Sequence, residues 1–210
     1  MFIETVGHAS LFLTSHKEDP IFVTDPWFVG SSYWRSWWLQ NYPSQEKLES
    51  IYKTKSIYIT HEHPDHFHLP TLRNFSKSSK LLIPDFPNKK LDNFLNNSEY
   101  NYEIIKRNNW KLINYDEKIS ILSIPLWNDD SILLVDTPNA IIINLNDSKP
   151  LNFTLDKIKK FLNLNKKKKS ILLSSYSPAS IANSFRSNEE ILSIKSKIDY
   201  VNYINKICNH

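Results

Sequence analysis

The sequence predicts an α+β fold in which sheets pack face to face and helices lie outside. Three observations carry that expectation. Short apolar runs dominate the first two-thirds of the 210 residues and come in groups. Helical spacing is confined to a few segments between and after them. The strict strand–helix alternation of a doubly wound sheet is absent. No repeat, Gly/Ser linker or low-complexity tail divides the chain, so residues 1–210 read as a single domain.

The elements follow in order. Phe2–Val6, Ala9–Leu13 and Ile21–Thr24 read as strands, the first two joined through Gly7-His8. Ser56–Thr60 (SIYIT) reads as a buried strand. Pro70 suits the first position of a short helix, PTLRNF, and the strand KLLIP follows, ending at Pro84. Asn88–Asn96 is predicted helical, with Leu91, Phe94 and Leu95 on one face. Trp110–Ile113, Ile119–Ile124, Ile132–Val135 and Ala140–Leu145 form a predicted meander of strands. Thr154–Leu162 is predicted helical, Ser170–Ser174 a strand, and Glu189–Ile207 a helix.

Composition bounds the function. Twenty-six Lys and Arg against 22 Asp and Glu give a net charge of +4, too mild a surplus to argue for nucleic acid or a membrane surface. One cysteine excludes a disulfide framework and a cysteine-rich zinc site. No apolar run approaches the ~18 residues of a spanning helix. The N-terminus lacks the charge and cleavage pattern of a signal peptide, so a cytoplasmic protein is expected. With only 2 glycines, Asn and Asp are expected at most turn positions. Six of the 7 histidines fall within the first 68 residues, and the seventh is His210.

The chemistry-bearing stretch follows SIYIT: Thr60-His61-Glu62-His63-Pro64-Asp65-His66-Phe67-His68. Neutral imidazole and carboxylate are ligands for zinc or iron. In extended chain His61 and His63 point to the same side, and Pro64 then turns the backbone so that Asp65 and His66 face a neighbouring position. One segment can thus serve two ions, a pairing suited to hydrolysis. Glu62 reads as a salt-bridging residue, and His68 as a neighbour of the site or a surface group.

His61-x-His63-x-Asp65-His66 resembles the signature of the metallo-β-lactamase superfamily. Gly7-His8-Ala9-Ser10 and Thr24-Asp25-Pro26-Trp27 resemble the branch that contains ascorbate-6-phosphate lactonase. Residues 25–43, DDSILLV with NLND (129–147) and SSYSPAS (174–180) look most like the metallo-β-lactamase-like domain of CMP-N-acetylneuraminate hydroxylase and its bacterial relatives. The resemblance implies an αββα sandwich with one or two divalent metal ions, zinc or iron. It assigns His61 and His63 to a first metal, Asp65 and His66 to a second, and Asp147 as the bridging carboxylate. It also places the His8 turn beside the metals, with His8 supporting a ligand or contacting substrate and a hydrogen-bonded structural histidine as the alternative; Asp25 contacts the site or orients a ligating histidine, and Asp65, His8 and Asp25 are the catalytic candidates.

The chain departs from the superfamily pattern at two ligands. Between His68 and His210 there is no histidine, so the usual third ligand of the first metal is missing; Asn128, Asp129 or Asp130 stand near its place. The late-strand histidine is missing too, and His210 comes too early to replace it. The expectation is a site that is incomplete or a chain that stops before the fold's last strand. The second metal would then have Asp65, His66 and Asp147 as its only protein ligands, and one sheet an uncovered edge.

Aromatic residues crowd the segment after Asp25. Trp37 and Trp38, with Arg35, are candidates for contacting substrate, Arg35 by gripping a phosphate or carboxylate; a packed loop and an ordinary salt bridge are the alternatives. The serines of SSYSPAS lack a nucleophile elbow and are rejected as nucleophiles. The leading expectation is a metal-dependent hydrolase that uses a metal-bound hydroxide on a small molecule such as a phosphate ester, lactone or amide. The alternatives are a diiron oxygenase component acting on a sugar nucleotide, which needs a separate electron donor, and a catalytically dead scaffold.

Overall fold

A computed structural model of the chain describes residues 1–148, 150–175, 201, 202 and 205. β1 (Phe2–Val6), β2 (Ser10–Thr14) and β3 (Pro20–Thr24) form an antiparallel meander. A two-residue-per-strand hairpin, β4 (Ser31–Ser32) and β5 (Trp37–Trp38), and helix α1 (Gln45–Ile51) lead to β6 (Ser56–Tyr58), which lies parallel to β3. Helix α2 (Leu69–Leu72), β7 (Lys80–Pro84), α3 (Lys90–Asn96) and β8 (Tyr102–Ile105) complete a six-stranded sheet of order β1-β2-β3-β6-β7-β8. β9 (Lys111–Asn114), β10 (Ile119–Pro125), β11 (Ser131–Asp136) and β12 (Ala140–Asn144) form a second meander. Helix α4 (Asn152–Leu164) then crosses over to β13 (Lys169–Leu173), parallel to β12.

The burial pattern stacks four layers. Leu11, Leu13, Phe22, Tyr58 and Leu82 of the first sheet meet Ile119, Ile121, Leu133, Val135 and Ile142 of the second, forming the central core. The outer face of the first sheet is covered by Leu48 and Ile51 of α1, Leu72 of α2 and Leu91 and Leu95 of α3. Ile158 of α4 packs on the outer face of the second sheet, against residues such as Ile132, Leu134 and Ile141. This is the expected arrangement of sheets inside and helices outside.

The Tyr58 hydroxyl, in the middle layer, donates to Ser123 Oγ at 2.7 Å and lies 3.1 Å from Ser131 Oγ. Ser131 Oγ in turn donates to the Thr60 carbonyl at 2.8 Å, fastening the two sheets at the strand ends where Asp25 and His61 emerge. Burial pushes the Tyr58 phenol above its ordinary pKa, so it stays a neutral hydrogen-bonding group.

Several elements differ from the sequence reading. α1 was not expected, although Ser44 is its N-cap, accepting the Lys47 N–H, and Leu48 and Ile51 share a face. β8 and the β4–β5 hairpin were also unexpected; strands of two residues leave no period to detect. Among the described residues Asn and Asp hold four of the left-handed positions (Asp25, Asn108, Asp129 and Asn146) and Gly7 and Gly30 two, but Glu18, Tyr33, Trp34, Arg35, Lys89 and Lys118 hold the rest. Glu189–Ile207, Tyr176–Ser180 and His210 were read from sequence and lie outside the described residues, apart from residues 201, 202 and 205. Among the described residues β13 is an edge of the second sheet, and no helix is long and apolar enough to cross a membrane.

Candidate metal centre

The site lies at one end of the two sheets. β3 delivers Asp25, two residues separate the end of β6 from His61 of the histidine motif, the β10–β11 turn brings Asp130, and the turn after β12 brings Asn146 and Asp147. The turn between β1 and β2 adds His8. Parallel pairing of β3 with β6 sets Thr24 beside Tyr58, so the two chains leave the sheet side by side.

Asp25 organises this end of the molecule. It is fully buried, with a left-handed φ of 42° that Asp tolerates better than most residues. Its Oδ1 accepts the Thr60 N–H at 2.7 Å, and its Oδ2 accepts the Thr60 hydroxyl at 2.8 Å and the Asn146 amide at 2.6 Å. The same Oδ2 lies 3.3 Å from His66 Nδ1. Asp25 thus fixes the orientation of the His66 ring, with the other ring edge turned into the site.

The Thr60 hydroxyl gives its proton to Asp25, so at 3.0 Å from His61 Nδ1 it accepts from that nitrogen. The lone pair of His61 is therefore at Nε2, which faces His63 Nδ1 at 2.8 Å. Burial, then the neighbouring His66 and His63, lower the His61 pKa to about 3, keeping the ring neutral and able to ligate. His63 itself is exposed.

Beside this pair, His66 Nε2 lies 3.3 Å from Asp65 Oδ2 and 3.5 Å from Asp147 Oδ2. His8 Nε2 lies 3.2 Å from Asp65 Oδ2. Burial opposes charge on both Asp65 and His66. The His66 and His8 partners nevertheless hold Asp65 well below the usual carboxylate range, and Asp147, Asp25 and Asp65 hold His66 well above 6.5. The field at this point favours positive charge.

The residues fit a bound cation. His66 Nε2, Asp65 Oδ1 and Asp130 Oδ1 are buried yet have no hydrogen-bond partner, an arrangement costly for polar atoms unless a ligand satisfies them. One group of possible donors is His61, His66 and Asp147, with ligand atoms within 4.8 Å of one another.

Of the three loop candidates for the missing third ligand, only Asp130 reaches the motif. Its Oδ1 stands 3.2 Å from His61 Nδ1, on the ring edge away from His63, and burial followed by the Asp147 charge pushes its carboxyl up to about 7. In this pose it flanks His61. Asp129 pairs with Lys90 at 3.4 Å, and Asn128 donates to Asp130 Oδ2 at 3.4 Å. Glu62 is salt-bridged, to Lys90 at 3.0 Å, as its sequence position suggested. His68 caps α2 through Thr71 and lies 3.2 Å from the Ser31 carbonyl, a structural place rather than a donor position.

The aromatic segment divides. Trp37 packs edge-on against His8 at 6.1 Å and in a tilted arrangement against Tyr33 at 4.8 Å. Trp38 is exposed and its indole N–H donates to the Arg35 carbonyl, while the Arg35 side chain is exposed. Tyr33, not singled out from sequence, approaches the donors: burial and then the Asp65 charge push its phenol above the ordinary value, so it remains a proton-bearing group. Tyr33, Trp34 and Arg35 are all left-handed, and together they form the turn of the hairpin. A groove of about 590 Å³ runs beside the motif, lined by Tyr33, Trp34, Glu62, Phe67, Lys90 and Phe94 among others.

Sequence reasoning also missed Thr60 and Asn146 as organisers. Asn146 Nδ2 reaches Asp25 Oδ2, Thr60 Oγ1 at 2.7 Å and His66 Nδ1 at 3.1 Å. The available signal was adjacency, since each precedes a metal-ligand candidate at a strand end.

No family model matches the chain. It is 31% identical over 139 residues to the cytidine monophosphate-N-acetylneuraminic acid hydroxylase of Asterias rubens, covering 61% of this chain and 21% of that protein. It is 41% identical over 69 residues to the hydroxylase of Cricetulus griseus, covering 33% and 12%. The matched stretches therefore span about a fifth or less of these relatives. Among solved structures, an isothiocyanate hydrolase from Delia radicum gut bacteria superposes with a TM-score of 0.59 at 12% identity, over 97% of this chain and 80% of that one. A possible metal-dependent hydrolase from Veillonella parvula gives 0.50 at 13% identity, over 100% and 95%. The likeness shows the fold: a metallo-β-lactamase-like αββα sandwich.

Proposed function

We propose that this domain is a metal-dependent hydrolase that holds two divalent ions side by side, one on His61 and His63 and one on Asp65 and His66, with Asp147 between them. The observation that carries the reading is the convergence of His61, His66 and Asp147, with His63 2.8 Å from His61 and with buried, unpartnered atoms at His66 Nε2 and Asp65 Oδ1. Bound ions would supply Lewis acidity and an activated water for attack on a phosphate ester, lactone or amide.

The chain's own residues do the rest. Asp25 and Thr60 fix the rings of His66 and His61 so that their free nitrogens face the site. The Tyr33 hydroxyl, kept protonated, faces the Asp65 carboxylate, and its residue also lines the groove. The groove, of a size suited to a small molecule, receives the substrate's remainder against Phe67 and Phe94. Trp37 walls the site through His8 and Tyr33, whereas Trp38 and Arg35 sit further out on the hairpin.

A second reading is an oxygenase component with two irons, fed by a separate electron donor. It is favoured by the sequence match to the hydroxylases and by a site rich in carboxylate, which suits a harder metal. Elemental analysis of protein purified without added metal separates the readings. Zinc with hydrolysis of at least one ester, lactone or amide in a panel supports the first, and two irons with dioxygen uptake in the presence of a reductant supports the second. His61→Ala and His63→Ala each remove the first ion and the activity. Full metal content in either variant refutes the assignment.

A further inference from the structure

We infer that His8, from the turn between β1 and β2, is a ligand of the second metal and supplies a histidine that the sequence pattern leaves missing there. The inference rests on the two-ion reading and names a donor outside the motif and outside the strand end that carries Asp147.

Distances carry it. Donors about 2.0–2.1 Å from one tetrahedral ion stand roughly 3.3–3.4 Å from each other. His8 Nε2–Asp65 Oδ2 is 3.2 Å, His66 Nε2–Asp65 Oδ2 is 3.3 Å, and His66 Nε2–Asp147 Oδ2 is 3.5 Å. Charge-assisted hydrogen bonds between such groups would close to about 2.7–2.9 Å. These side chains stay at the spacing of a coordination shell, and His66 Nε2 has no hydrogen-bond partner although the residue is fully buried. His8, Asp65 and His66 offer three ligand atoms mutually within 4.8 Å, two nitrogens and one oxygen, and Asp147 Oδ2 approaches the same His66 Nε2.

The scaffold holds His8 for this role. Its ring is packed edge-on by Trp27 at 5.6 Å, Trp37 at 6.1 Å and His66 at 6.0 Å. Gly7 makes the approach feasible: its φ is +65°, and a Cβ there would meet the Trp27 carbonyl oxygen at 2.9 Å. A chain with only 2 glycines places one of them here. On this inference His8 joins Asp65, His66 and Asp147, the three protein ligands expected from sequence.

The test is a competitive zinc titration of the full chain and of His8→Gln, with cobalt(II) absorption as a second readout of coordination. The wild type is expected to take up two ions. In His8→Gln the ion on His61 and His63 is retained and the second is weakened more than a hundredfold, beyond the ~10–100-fold that loss of an outer partner costs. The cobalt spectrum of the second ion changes with it. Gln can still donate to the buried Asp65 carboxylate, so the metal-free variant should keep the fold, and its unfolding curve measured without metal separates a lost ligand from a lost fold. Two ions bound in the variant with a smaller loss overturn the assignment of His8 alone. A wild type that takes up no ion overturns the two-ion reading itself.

Discussion

Removing the Asp25 carboxylate charge should both loosen the fold and weaken the metal site, because one buried group serves both. Asp25→Asn keeps the shape and tolerates the left-handed φ of 42°. It keeps an oxygen for the Thr60 N–H but turns an amide toward the Thr60 hydroxyl, the Asn146 amide and His66 Nδ1, donors now at 2.8, 2.6 and 3.3 Å. Two hydrogen bonds to a charged acceptor are lost at about 1.5–3 kcal/mol each, part of which relaxation recovers, so about 3–4 kcal/mol is expected. Asp25→Ala adds about 1–2 kcal/mol of left-handed strain. Urea denaturation of the metal-free protein should show the midpoint falling by ~1–2 M for an m-value of roughly 2–3 kcal/mol/M. The metal-loaded form should lose ~10–100-fold in affinity, since His66 is no longer oriented. A change in stability below about 1 kcal/mol, or unaltered metal affinity, refutes the claim that Asp25 organises the site.

Three further outcomes follow from the same geometry. Asp147→Asn should lower metal affinity, and because its side chain is 44% exposed the loss of its pairing with His66 should cost the metal-free protein no more than about 1 kcal/mol; unchanged affinity in titration would make Asp147 a turn residue only. Gly7→Ala should destabilise by about 2 kcal/mol more than Gly30→Ala, because both have positive φ but only Gly7 has a carbonyl oxygen 2.9 Å from the new Cβ; equal unfolding midpoints would refute the tight-turn argument. Glu103, bridged to Lys111 at 2.5 Å and Lys80 at 3.3 Å, has its pKa depressed chiefly by the Lys111 hydrogen bond. Its stabilisation is present above the ordinary carboxylate range and is lost as pH falls through the folded-state value. Glu103→Gln should therefore cost a few tenths to ~1 kcal/mol at pH 7 and nothing once the wild-type carboxylate is protonated; a pH-independent difference would point to lost packing.

The elements legible in sequence are those whose residues carry their own period. The strand β10 alternates buried and half-buried positions from Ile119 to Pro125, and α4 repeats Leu155 and Ile158 toward the sheet, so both were expected nearly at their bounds. The candidate donors of the motif could be named from sequence for the same reason, since an extended His-x-His step followed by Pro64 is local geometry. The hairpin β4–β5 was not, because its strands are two residues long and its turn uses left-handed Tyr33, Trp34 and Arg35, for which no residue preference speaks.

By itself the sequence determined the strand-rich layers and which short segment bears the histidines, because periodicity and adjacency are properties of neighbouring residues. Only the tertiary structure decided what meets that segment. Parallel pairing of β3 with β6 places Asp25 behind His66, and the Gly7 turn swings His8 onto Asp65. The packing of the second sheet carries Asn146 and Asp147 across to the same rings. Those contacts join residues up to 121 positions apart, as between Asn146 and Asp25, and no local period encodes a distance that strand order and sheet packing set.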